Sequence, residues 1–158
     1  DGRYVYVTGT NSIDLLQLGD DGSLTLIGQT STPNLNIPFV IHPSGKYLYM
    51  TDSTGTAYVY SINKITGGLS LLQQISVNNS APQGSCIDAR GRFYYTFGSG
   101  ASNVATAFRI NDTNGTLSQT AAYTLATSHR GCAFLNAQVS RSHLELRADE
   151  YLPSWLIL

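Results

Sequence analysis

Gly2-Arg3-Tyr4-Val5-Tyr6 recurs as Gly45-Lys46-Tyr47-Leu48-Tyr49 and again as Gly91-Arg92-Phe93-Tyr94-Tyr95. The glycines lie 43 and then 46 residues apart. A second landmark keeps the same period: Gly22-Ser23-Leu24, Gly68-Leu69 and Gly115-Thr116-Leu117, whose leucines are 45 and 48 residues apart. Two independent landmarks with a common period define a repeat, and a repeat constrains the fold more than any single motif. Each unit is one supersecondary module that cannot bury its apolar faces alone.

Within a unit the residue types specify strands. After the turn glycine comes a β-branched and aromatic run, Tyr4 to Thr8 or Tyr47 to Thr51, which suits a pleated surface. A second run follows at Ile13 to Leu18, Ala57 to Ile62 and Thr106 to Ile110. Turn-rich links come next, among them Gly19-Asp20-Asp21-Gly22 and Asn111-Asp112-Thr113-Asn114-Gly115, and they read as hairpins. A third run spans Leu24 to Ile27, Leu69 to Ile75 and Leu117 to Tyr123, and a fourth, such as Pro38 to Pro43 or Pro82 to Ala89, leads to the next glycine. Four short antiparallel strands per unit of about 45 residues predict a propeller blade. Polarity agrees. Tyr4-Val5-Tyr6-Val7 and Tyr47-Leu48-Tyr49-Met50 are apolar on both faces, so both faces must be covered, and no amphipathic helix lies between the strands to cover them. The recurring tyrosines therefore read as blade packing rather than a sugar-stacking stripe.

The Gly-[Arg/Lys]-[Tyr/Phe]-x-Tyr strand, with His42-Pro43-Ser44-Gly45 ahead of it and a Gly-x-Leu turn about 20 residues after it, resembles the YVTN-type repeats of the lactonase-like seven-bladed propellers, which include the propeller-type 6-phosphogluconolactonases. The resemblance covers roughly residues 1–134. It implies an all-β arc of about three four-stranded antiparallel blades with strand A innermost, in pieces 1–30, 36–76, 82–124 and 129–135. The order reads B-C-D, then A-B-C-D twice, then a single A. Closed propellers use at least four blades, and an arc leaves two apolar faces open. The expectation is therefore a fragment of a longer protein, or closure by self-association, for which two copies would give a six-bladed ring.

Composition narrows the partners. Only 12% of residues are charged and the formal net charge is -1, against the basic face that phosphate neutralisation needs. With 42% hydrophobic residues, disorder is excluded as well. No apolar run approaches the roughly 18 residues of a membrane helix. Cys86 and Cys132 match no zinc or redox spacing and read as two small buried hydrophobes rather than a bridge. Abundant Thr, Ser, Asn and Tyr, with sequons at Asn78, Asn111 and Asn114, lean towards a secreted or periplasmic location. The segment 136–158 departs from the repeat. Residues 141–150 carry five charges, Ser142 and Glu145 form a capping-box pattern, and the expectation is a short helix ending before Pro153, either foreign to the propeller or packed on an open blade face.

Catalytic motifs are scarce. There is no Gly-x-Ser-x-Gly elbow, phosphate loop, His-Glu-x-x-His or Cys-x-x-Cys, and no cofactor or metal set is indicated. His42, His129 and His143 are too dispersed for a metal cluster. Propeller ligands usually sit at one mouth of the central channel, near the start of the inner strands. That places Gln83 as a substrate-binding candidate and His129 and Arg130 as catalytic candidates. There, an imidazole base beside a fixed cation suits an anionic lactone. His42 and Asp88 share a repeat position before a turn, where polar side chains bond the turn's own backbone. The resemblance implies hydrolysis of a sugar lactone. Against it stands the absence of any Glu before residue 145, and the rival expectation is a non-catalytic propeller that binds protein or glycan through its loops.

Overall fold

The structure, a computed structural model, describes residues 2–33, 39–77, 82–98, 103–126 and 132. Eleven strands follow one another without a helix among the described residues. The first sheet holds β1 (Tyr4–Thr8), β2 (Ser12–Leu18) and β3 (Leu24–Ser31). The second holds β4 (Val40–Ile41), β5 (Tyr47–Thr51), β6 (Thr56–Ile62) and β7 (Leu69–Ser76). The third holds β8 (Pro82–Ile87), β9 (Phe93–Gly98), β10 (Val104–Ile110) and β11 (Leu117–Thr124). Each sheet is an antiparallel meander whose spatial order follows the chain. This is the B-C-D, A-B-C-D, A-B-C-D order that the repeat predicts, a partial β-propeller. The third inner strand, expected over 129–135, lies outside the described residues except for Cys132, and so does the helical tail expected over 136–158.

All three units have the same irregularity. The ladder between the third and fourth positions of the blade slips once, at Leu15/Leu16, Val59/Tyr60 and Ala107/Phe108. A bulge adds local twist, and its recurrence gives every blade the same shape for stacking on the next.

The core lies between sheets. The central blade is buried on both sides: Leu48, Met50, Tyr58 and Tyr60 face the first blade with Ile13, while Tyr49, Ala57 and Val59 face the third with Tyr94, Phe108 and Ile110. This explains why β5 and β6 read as apolar throughout. Their alternate residues serve two different interfaces rather than one core and solvent. The outer strands β3, β7 and β11 are mostly exposed.

Packing is supplemented by a directional bond that the sequence pattern does not reveal. The Tyr6 hydroxyl donates to the Gly67 carbonyl at 2.6 Å, and one unit later the Tyr49 hydroxyl donates to the Gly115 carbonyl at 2.8 Å. The neighbouring tyrosines act likewise, Tyr4 on the Ile65 carbonyl and Tyr47 on the Thr113 carbonyl. Strand B of the first and second blades thus grips the hairpin between strands C and D of the following blade. The hairpin must be glycine where the ring lies on it: Gly67 and Gly115 have φ of +72° and +75°, and a Cβ there would fall 2.9 Å from the Tyr4 ring and 2.6 Å from the Tyr47 ring. Burial pushes the Tyr49 pKa well up, so the hydroxyl stays a donor.

Replacing Tyr49 by Phe leaves the buried Gly115 carbonyl without its donor and is expected to cost about 1–3 kcal/mol in urea unfolding. Tyr47→Phe, at an exposed bond, is expected to cost under about 1 kcal/mol. Equal losses in the two variants would contradict the buried-bond account.

Candidate functional site

Of the two inner strands described, β4 holds two residues and β8 six. Its pairing with β9 slips between Pro82 and Gly84, which leaves Gln83 as the extra residue of a bulge at the strand's start. Bulges re-aim side chains. Gln83 is half-buried between two buried neighbours, Pro82 and Gly84. At the same end of this blade Asn103 closes the link from β9 to β10 with φ of +23°, and its buried Oδ1 has no hydrogen-bond partner among the described residues.

The cysteines correct the sequence expectation. Cys86 and Cys132 are not separate buried thiols. They form a disulfide, with Cα atoms 6.0 Å apart and a sequence separation of 46. The reason lies in the repeat. A separation of 46 residues is one unit, the same as from Gly45 to Gly91, so it brings equivalent positions of successive units side by side. The bond therefore ties Cys132 to the inner strand that carries Gln83. The two catalytic candidates, His129 and Arg130, lie outside the described residues.

The opposite end of each inner strand holds the polar pair that the sequence assigns to turns. Asp88 Oδ1 accepts from the amides of Arg92 and Phe93, the latter at 2.7 Å, and Arg92 Nε lies 3.3 Å from Oδ2. His42 Nδ1 lies 3.0 Å from the Ser44 amide, so it serves its own turn as well. Its Nε2 reaches further, 2.9 Å from the Gly91 carbonyl of the next blade.

One carboxylate escaped the sequence reading. Asp52, in the link between β5 and β6, stands at the same end of the blades as Gln83. It is buried and accepts from the Thr54 and Thr56 amides, the Thr54 hydroxyl and, at 2.8 Å, the Tyr58 hydroxyl. Gly9 and Gly98 occupy the matching positions of the other units, so the repeat gives no signal for it. Burial pulls the Asp52 pKa up, but the bonds from Thr56, Thr54 and Tyr58 outweigh it and the net shift is downward. At Asp88 burial again acts upward, and the Phe93 and Arg92 amides with the Arg92 guanidinium bring the net shift below the ordinary value. Both carboxylates hold turns with acceptors already used, which leaves neither poised as a general base.

Two outcomes follow from these contacts. Because both folded-state pKa values are depressed, their contribution to stability is complete above the unfolded value of about 4 and is lost as pH falls through the folded values. Thermal melts from pH 6 down to pH 2.5 should show that loss, and the double variant Asp52→Asn with Asp88→Asn should flatten it. Opening the disulfide, which closes a loop of 46 residues, should lower stability by about 3–4 kcal/mol. Denaturant unfolding with and without reductant measures this, and an unchanged midpoint would contradict the bond's role.

A family model described as a seven-bladed β-propeller lactonase matches residues 1–81 and 40–133. No curated protein matches the chain in sequence. Among solved structures, a protein from Lactobacillus plantarum superposes with a TM-score of 0.75 at 22% identity, over 83% of this chain and 41% of its own. The periplasmic gluconolactonase of Pseudomonas aeruginosa gives 0.71 at 14%, over 81% and 38%. A proposed 6-phosphogluconolactonase from Bacteroides fragilis gives 0.77 at 17%, over 86% and 40%. The chain spans about two fifths of the length of these structures.

Proposed function

Since the chain belongs to the seven-bladed β-propeller lactonase family, we propose that it forms part of a ring that hydrolyses a sugar lactone at one mouth of the central channel. The observation that carries this reading is the match of the family model over residues 1–133, the stretch that holds Gln83, His129 and Arg130. The disulfide supports grouping them. His129 precedes Cys132 by three residues, as Gln83 precedes Cys86, and three residues of chain reach at most about 11 Å. In this reading His129 takes a proton from water as it attacks the lactone carbonyl, Arg130 holds the oxyanion that develops, and Gln83 orients the ring through its amide; as the intermediate collapses the ring C–O bond breaks and the protonated His129 returns its proton to the leaving ring oxygen. The bridge also fits an oxidising compartment, in favour of a secreted or periplasmic protein.

The open faces of the arc would be covered by further blades, from the same polypeptide or from a second copy. Val7, Leu24 and Leu26 of the first blade are 47%, 52% and 61% exposed. A Cβ added at Gly22 meets nothing within 4 Å among the described residues, although its counterparts Gly67 and Gly115 each carry a tyrosine from the preceding blade. One observation favours a second reading. The buried carboxylates Asp52 and Asp88 are committed to turns, so a non-catalytic propeller that binds protein or glycan is the rival.

A single experiment separates them. Proton release from glucono-δ-lactone and its 6-phosphate is followed for material whose mass is fixed by light scattering. The proposal expects an assembly larger than 17.0 kDa, turnover in that assembly, and a drop of about 10²–10⁴-fold in kcat/KM for His129→Ala. Undiminished turnover in His129→Ala and Arg130→Ala would reject the site, absence of turnover would favour the binding protein, and a stable monomer would reject association of copies.

A further inference from the structure

Between the outer strands of the first and second blades lies a cleft of about 330 Å³, lined by Ile13 and Leu15 of β2, Ile27 and Gly28 of β3 and Leu69 of β7 among others. Both walls belong to described strands. β3 and β7 are the last strands of their sheets, at the edge away from the inner strands, so the cleft is separate from the channel mouth that Gln83 marks.

The second blade junction indicates what this cleft is shaped to hold. There Gln73 reaches from β7 to the third blade: its Oε1 accepts from the Leu117 amide at 2.6 Å and its Nε2 donates to the Leu117 carbonyl at 3.0 Å. One carboxamide thus satisfies both backbone groups of a residue on an edge strand. The ladders put Gly28 at the corresponding place in the first blade. Gln73 pairs with Val59 and Gly28 with Leu15, each at the pair beside the bulge. The receiving residue corresponds as well. Leu69 pairs with Ile62 as Leu117 pairs with Ile110, and the bonds from the Asn63 amide to the Gly68 carbonyl and from the Asn111 amide to the Thr116 carbonyl fix the same alternation. In an antiparallel ladder, the residue next to a hydrogen-bonded pair turns its N–H and C=O away from the partner strand. Leu69 therefore turns both groups away from β6, beyond the edge of its sheet, and among the described residues no side chain bonds to either. Gln29, beside Gly28, is already engaged, with its Nε2 donating to Asp14 Oδ1 at 2.7 Å.

We propose that this cleft binds the primary carboxamide of a small molecule, whose oxygen accepts from the Leu69 N–H and whose NH₂ donates to the Leu69 carbonyl, with a short aliphatic body against Ile13, Leu15 and Ile27. Other small polar groups meet only half of that demand. A carboxylate has no donor for the carbonyl, and an ammonium has no acceptor for the amide. A carboxamide carries both in one plane, and Gln73 uses them in this way one blade later. The apolar wall then covers the rest of the ligand, the usual division of labour in a small-molecule site.

Butyramide tests the site, because it carries its carboxamide on a short aliphatic chain as a glutamine side chain does. It is titrated into the full isotope-labelled chain up to about 100 mM, the range that a ligand of this size requires. The expected result is a saturable shift of the Leu69 and Gly28 amide resonances, with butyrate and N,N-dimethylbutyramide binding at least about tenfold more weakly because each leaves the Leu69 carbonyl without a donor. No shift at Leu69, or equal binding of the dimethyl compound, would overturn the proposal. Gly28→Gln supplies the carboxamide from the chain itself. A Cβ at Gly28 would lie 3.7 Å from the Leu15 side chain, an ordinary contact, and the φ of Gly28 is not in the left-handed region, so the variant is sterically admissible. It should weaken butyramide binding at least about tenfold by occupying the site, and unaltered affinity in the folded variant would contradict the assignment. The reverse change, Gln73→Gly, should create a second site, seen as a butyramide-dependent shift at Leu117. A folded Gln73→Gly chain in which Leu117 does not respond would count equally against it.

Discussion

Each blade is a sheet with two apolar faces, and a single blade has no way to hide both. Everything else in the molecule follows from that constraint. The central blade satisfies it completely, with Leu48 and Met50 turned to one neighbour and Tyr49 and Val59 to the other, all of them inaccessible to solvent. At about 25 cal/mol per Å² of apolar surface, such burial dominates over any single polar contact in the chain. Hydrophobic burial, however, is indifferent to direction. A second mechanism is needed to set which blade follows which and at what height.

The tyrosine hydroxyls supply that direction. Those of Tyr4, Tyr6, Tyr47 and Tyr49 belong to strand B and donate forward, to the carbonyls of the next blade's hairpin, so the interface has a giving side and a receiving side. Glycine at the receiving position is required twice over, by the positive φ and by the ring that lies on it. His42 adds a third forward contact near the channel through the Gly91 carbonyl. The outcome is a heterologous contact that repeats from blade to blade, the kind that either closes into a ring or leaves two unlike ends. The Cys86–Cys132 bridge continues the series, linking equivalent positions of successive units covalently.

The fold could be read from the sequence because its determinants recur: the turn glycines, the strands apolar on both faces and the hairpin signals each occur three times. What recurrence could not reveal was the partner of each side chain. The tyrosines were recognisable as packing, but their hydroxyl acceptors are backbone carbonyls, which leave no trace in residue type. The disulfide has its signal in the repeat period, which the separation of Cys86 and Cys132 equals, and none in metal or redox spacings. Asp52 has no signal in the repeat: it occurs in one unit only, and its Asx-type bonds to Thr54 and Thr56 resemble any turn. Of the candidate site, the position of Gln83 at the start of an inner strand is legible in the repeat, and the bulge there is not. His129 and Arg130 fall outside the described residues.

Mutual screening of blade faces makes a claim about local stability that amide hydrogen exchange tests most directly. If neighbouring blades cover one another, the amides of β5 and β6 should exchange only through global opening, and those of β1, β2 and β3 should exchange through smaller openings at least tenfold faster. Exchange of β1, β2 and β3 as slow as that of β5 and β6 would mean that a blade is stable without a neighbour on each side, and would contradict the account.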